Sequence, residues 1–122
     1  MSGPAVRERV RRLEDAGLIR GVRLDVDPKH LGYPVAAMVR IRPMPGQLRK
    51  IIDLARGTPR VVECCRITGE DCLVMRLHLE SIDVIDSVLD AFLLYGQTTT
   101  SIIQSSSVPL RALPLPDGAS PP

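Results

Sequence analysis

The chain has 122 residues, 44% of them apolar and 25% charged, with a net charge of +2 and three cysteines. That content excludes a disordered chain and supplies a modest core for one or one and a half small domains. The sequence shows no run of 18 apolar residues and no charged-then-apolar leader, so no membrane span or secretory signal is expected. The odd number of irregularly spaced cysteines predicts free thiols in a reducing, cytoplasmic setting.

The first element is predicted in AVRERVRRLEDAGLIRG, residues 5 to 21. Val6, Val10 and Leu13 recur at i, i+4 and i+7, a narrow apolar stripe on a helix. Ser2 is placed to cap its start, Pro4 fits the first turn, and Gly17 stops it. The other face carries Arg7, Arg9, Arg11 and Arg12. Residues 1 to 24 hold six Arg against Glu8, Glu14 and Asp15, a net +3 that leaves −1 for the remainder. Arg outnumbers Lys fourteen to two along the whole chain, which fits a GC-rich genome and carries no functional weight.

In residues 18 to 27, Val22, Leu24 and Val26 alternate as a short strand or an extended connector. After the turn PKHLGY, the segment PVAAMVRIRP is a strand with Val35, Ala37, Val39 and Ile41 on one face. Ala36, Met38, Arg40 and Arg42 lie on the other. QLRKIIDLAR is helical through Leu48, Ile51, Ile52 and Ala55 and closes at Gly57. RVVECCRI, residues 60 to 67, is a strand, TGED a tight turn, and CLVMRLHLE a second strand. In the latter, Leu73, Met75, Leu77 and Leu79 share a face opposite Cys72, Val74, Arg76 and His78. Ser81 is expected to cap a helix carrying Ile82, Ile85, Val88, Leu89 and Phe92, which Gly96 ends before a last strand in TTTSIIQSS. From Val108 to residue 122 a proline-rich tail is expected to be disordered.

From residue 34 the order is strand, helix, strand, strand, helix, strand. Two right-handed crossovers around a central hairpin give an α+β, ferredoxin-like βαββαβ domain over residues 34 to 107, with a four-stranded antiparallel sheet and both helices on one face. The semi-apolar opposite face, including Ala36, Met38, Val74, Arg76 and His78, predicts a homodimer packed sheet against sheet.

With these elements placed, the chain resembles the Lrp/AsnC transcriptional regulators over residues 2 to 107. The recognition-helix pattern is met by Ser2, Val6, Arg9, Val10, Leu13, Glu14, Gly17 and Ile19. VVECCRITGEDC and YGQTTTSIIQSS are similar to the effector-binding and oligomerisation domain. The resemblance implies that residues 1 to 17 are the recognition helix of a helix-turn-helix and that residues 18 to 33 connect it to the sensing domain. It also implies that two helices precede the recognition helix in the family and are absent here: either the chain starts late relative to its gene or it is a truncated relative. An amino-acid-responsive, DNA-binding regulator that assembles as a homodimer or higher homo-oligomer is the expectation. The alternative is a stand-alone amino-acid-binding and oligomerisation module without DNA binding.

Two readings stand for each candidate site. The DNA-contact set Ser2, Arg7, Arg9, Arg11 and Arg12 suits a helix in the major groove, and equally a solvated face with Glu8–Arg12 and Arg11–Asp15 pairs. TGED is a hairpin turn with Gly69 at positive φ. The resemblance also places an amino-acid effector near it, at a subunit interface. There Glu70 or Asp71 would accept from the ammonium, while N–H groups near Gly69 and the hydroxyls of Thr98, Thr99 and Thr100 would hold the carboxylate. In the family an aromatic residue commonly separates the loop's acidic residues, whereas here Asp71 is followed by Cys72. A turn at residues 68 to 71 would set Cys65 opposite Val74 and Ile67 opposite Cys72, out of disulfide register, so buried or half-buried free thiols are expected. His30 and His78 lack a partnering nucleophile or carboxylate motif, so no catalytic residue, metal, cofactor or enzymatic activity is expected.

Overall fold

The computed structural model describes residues 2–116. At its start, Ser2 Oγ accepts a hydrogen bond from the Ala5 N–H at 3.3 Å and Pro4 occupies the first turn of α1, Gly3–Asp15. Gly17, at φ +82°, ends it. No residue of α1 is buried. Its one intrahelical ion pair is Glu8–Arg11 at 3.6 Å, three residues apart, in place of the i, i+4 pairs expected from spacing.

Residues 18 to 27 form no strand: Val22 and Leu24 are exposed and find no partner strand, so alternation by itself produces only an extended connector. A turn of 3-10 helix over Pro28–Leu31, capped by Asp27, leads into β1, Val35–Pro43. Then follow α2 (Leu48–Arg56), β2 (Val61–Arg66), β3 (Leu73–Leu79), α3 (Val84–Leu93) and β4 (Gly96–Ile102). The strands form one antiparallel sheet ordered β2-β3-β1-β4, the expected ferredoxin-like topology. In this order β1 and β3 are central, and β2 and β4 are edges.

The period-2 patterns of the central strands coincide in register. Ala37 pairs with Leu77, Val39 with Met75 and Ile41 with Leu73, so apolar side chains from both strands project to the same face. These residues form the core with Leu79, with Ile51 and Ala55 of α2, and with Leu89 and Phe92 of α3. The helices cover that face alone. On the other face Ala36, Met38, Val74, Arg76 and His78 are half-buried.

Three local expectations are corrected. Ser81 does not cap a helix by its side chain; its carbonyl accepts from the Val84 N–H at 3.3 Å, and α3 begins at Val84, leaving Ile82 outside it and 60% exposed. Cys64 and Cys65 are exposed and Cys72 is half-buried, because β2 is an edge strand; all three are free thiols, in the register expected. Gly96 opens β4 rather than merely ending a helix. A Cβ there would meet the Arg42 carbonyl oxygen at 2.8 Å. Residues 108–116 carry no regular element, and residues 117–122 of the expected tail lie outside the described residues.

Candidate functional site

The β2–β3 hairpin closes with the Ile67 N–H donating to the Cys72 carbonyl at 2.8 Å, and Gly69 takes φ +106°. A side chain would strain that backbone, which accounts for glycine at the turn. The turn lies beside the last residues of β1, because Ile41 pairs with Leu73. There Arg42 receives both loop acids: its Nη2 lies 2.9 Å from Glu70 Oε2 and its Nε 3.2 Å from Asp71 Oδ1. A single guanidinium thus holds two carboxylates in a solvent-facing triad. Such a fork suits any carboxylate, and each acid can equally hold an ammonium. Arg42 was not among the candidates drawn from sequence. Its signal was its place on the polar face of β1, but only the register brings it beside residues 70 and 71.

The three threonines do not converge on this triad within one chain. Thr99 pairs with Arg40, while Thr98 and Thr100 pair with Ile41 and Val39. By strand alternation the latter two face the helices. They line a cavity of about 420 Å³ against α3, with Ile82, Asp83 and Asp86 nearby. Thr99 is on the face that bears Arg42.

On α1, Arg7, Arg9, Arg11 and Arg12 are exposed along with Ser2. Val10 and Leu13 are half-buried, and Val6 is 45% exposed. The helix therefore presents its guanidiniums to solvent.

At the opposite end of the sheet, Arg60 and Glu80 form a close pair, Nη2 to Oε1 at 2.9 Å, with Nε within reach of both carboxylate oxygens. The hydrogen bonds hold the Glu80 carboxyl below its ordinary range and raise the Arg60 guanidinium. They border a cavity of about 360 Å³ with Tyr33, Val62 and His78. The His78 Nδ1 is buried without a hydrogen-bond partner among the described residues. Burial, then the charge of Arg76, lowers the His78 pKa. Among the described residues, no group of three or more His, Cys, Asp or Glu side chains is arranged to hold a metal ion. No helix among them is long and apolar enough to cross a membrane.

A helix-backed antiparallel sheet of this topology serves many functions, and the comparisons with known proteins give the class here, a ligand-binding domain. The Lrp/AsnC ligand binding domain family model matches residues 36–113. The transcriptional regulator LrpC of Bacillus subtilis is 32% identical over 105 residues, covering 86% of this chain and 73% of that protein. The regulatory protein AsnC of Escherichia coli K12 is 32% identical over 94 residues, 73% of this chain and 59% of that protein. The solved structure of B. subtilis LrpC matches with a TM-score of 0.80 at 31% identity, over 90% of this chain and 79% of that one. A feast or famine regulatory protein from M. tuberculosis, complexed with L-methionine, matches with a TM-score of 0.80 at 26% identity, over 93% of this chain and 79% of that one. The chain belongs to the Lrp/AsnC family, whose named relatives here are transcriptional regulators.

Proposed function

We propose that this protein is an amino-acid-responsive, DNA-binding transcriptional regulator. The observation that carries the reading is the triad of Arg42, Glu70 and Asp71 within the family's ligand-binding domain. A free amino acid is the electrostatic complement of that triad. Its carboxylate competes for Arg42 while its ammonium takes Glu70 or Asp71, and the other acid can keep its hold on the guanidinium. The Gly69 backbone allows close approach to the ligand. The M. tuberculosis relative bound to L-methionine supports this ligand class.

In this reading Thr99, on the open face with Arg42, contributes from a neighbouring subunit, while Thr98 and Thr100 face α3 of their own chain. The uncovered face pairs with a second copy, which removes Met38, Val74 and Ala36 from water. The exposed arginines of α1, with Ser2 at its start, contact DNA: the helix enters the major groove and Arg7, Arg9, Arg11 and Arg12 reach phosphates and base edges. The ligand acts by favouring one arrangement of dimers over another, which requires different affinities for the two.

A second reading has its own support. No residue of α1 is buried, and a reading helix without packing is poorly positioned. A sensing and assembly module without DNA binding fits that observation. Fluorescence anisotropy of duplex DNA from the gene's own upstream region decides between them, at two salt concentrations and with leucine, methionine or no ligand. Salt-sensitive binding that prefers this DNA to a scrambled duplex, and shifts with an amino acid, is expected of the regulator. A well-formed oligomer that binds an amino acid and no DNA supports the second reading.

A further inference from the structure

The face of the sheet covered by the helices is not covered completely. α2 lies over the central strands, and on its β2 side a cavity of about 480 Å³ opens between Ile52, Ala55, Leu73 and Cys64. It continues into a recess of about 230 Å³ bordered by Arg49, Asp53, Arg56 and Arg66. Ile52, Arg56 and Arg66 line both, so the two form one groove. The larger part falls within the roughly 300–1,000 Å³ of small-molecule sites.

Floor and rim differ in chemistry. Leu73 and Ala55 belong to the buried core, so the floor is apolar. Desolvation there is strong enough to raise the pKa of the Cys64 thiol, with the neighbouring Cys65 adding to it. Three guanidiniums stand at the rim. Arg56 is engaged by Asp53 at 3.7 Å, whereas Arg49 and Arg66 have no carboxylate partner among the described residues. Against these three cations the lining holds two carboxylates, Asp53 and Glu63. The excess of cations suits an anion. Asp53 is engaged by Arg56, and Glu63 lies opposite Arg76 in the register of β2 and β3, on the side away from α2, so the helix side offers an ammonium no unpaired carboxylate.

We propose that the groove between α2 and β2 binds a small amphipathic carboxylate, its apolar chain lying over Ile52, Ala55 and Leu73 and its carboxylate held by Arg66 and Arg49. The groove lies across the sheet from the face assigned above to the dimer, so a sheet-to-sheet dimer leaves it open. It is also separate from the Arg42 triad, and its test does not depend on DNA or on the amino-acid effector.

The test uses the full chain, reduced, with octanoate below its micellar range as the probe. Alkylation of Cys64 and Cys65 is followed by peptide fragmentation. Cys64 pairs with Met75 and faces the groove; Cys65 pairs with Val74 and faces away. Octanoate is expected to slow alkylation of Cys64 several-fold and saturably, leaving Cys65 unchanged, while octanol, leucine and inorganic phosphate protect weakly or not at all. Arg66→Gln should weaken octanoate binding about tenfold, the scale of one charge-assisted hydrogen bond. Arg76→Gln, on the other face, should not. Circular dichroism establishes that both variants fold, and Arg49→Gln gives a second rim variant if Arg66→Gln does not. Absence of saturable protection, equal protection by octanol or leucine, or unchanged binding in the rim variants overturns the proposal.

Discussion

Arg42 Nη2 sits 2.9 Å from Glu70 Oε2, joining the end of β1 to a loop 28 residues further along the chain. The side chains are 50% and 82% exposed, so the pair adds little to stability and leaves its charges accessible to a ligand. Arg42→Gln should therefore change folding stability by no more than about 1 kcal/mol, while reducing affinity for an amino-acid effector by about tenfold or more. Urea unfolding and calorimetric titration with leucine and methionine check the two halves. A large loss of stability, or an unchanged affinity for a ligand that the parent protein binds, would remove the triad from the site.

At Gly96 an added methyl group has no room. The glycine is buried, and a Cβ there would lie 2.8 Å from the Arg42 carbonyl oxygen and 3.2 Å from side-chain carbons of Ile41 and Ile51. Gly96→Ala must push β4 from β1 or shift α2, and overpacking of this kind costs about 1–3 kcal/mol. The expected result is a lower urea midpoint with little change in slope.

His78 makes stability depend on pH. Burial favours its neutral form and nearby Arg76 opposes a second positive charge, so the folded-state pKa falls below the ordinary 6.5. Arg60 and Glu80, paired with each other, and Tyr33 are the other titratable groups bordering its cavity. A proton then binds the unfolded chain more tightly than the native one. The contribution is fully present above pH 6.5 and declines as pH falls through the window between the unfolded and folded pKa values. Urea unfolding between about pH 8 and about pH 5 should show that decline in the parent protein and a smaller one in His78→Gln. Equal slopes would mean that His78 titrates alike in both states.

The uncovered sheet face gives a prediction about assembly. Met38 lies between Arg76 on β3 and Ser101 on β4, half-buried at the middle of that face. Met38→Asp leaves the helix-side core untouched, so the fold should persist while a sheet-to-sheet dimer is lost, the introduced carboxylate having to be buried in the interface. Light scattering after size exclusion should report a dimer for the parent protein and a monomer for the variant. A dimer in both places the interface elsewhere.

Where the pattern of one segment suffices, sequence reading and structure agree. The alternation in 35–41 and 73–79 specifies the buried face of two strands, because side chains alternate at a period of 2 whatever surrounds them. The stripe of Leu48, Ile51, Ile52 and Ala55 does the same for α2, and Ser2, Pro4 and Gly17 mark the bounds of α1 through local hydrogen bonding and backbone freedom. Val22, Leu24 and Val26 alternate as well and form no strand, since a strand also needs a neighbour to pair with. The expectation for the three cysteines is buried or half-buried free thiols. Cys64 and Cys65 are exposed because the order β2-β3-β1-β4 puts their strand at an edge.

By itself the sequence determined the elements, their order and the apolar faces that make a ferredoxin-like sheet backed by two helices, all of which depend on contacts within a few residues or on periodicity along one segment. It also held the Gly69 turn and the acids beside it. Only the tertiary structure decided that Arg42 would hold Glu70 and Asp71, that Thr98 and Thr100 would face α3 while Thr99 faced away, and that Arg49 and Arg66 would share a groove. Those relationships depend on strand order and register, which are set by how separate segments pack together.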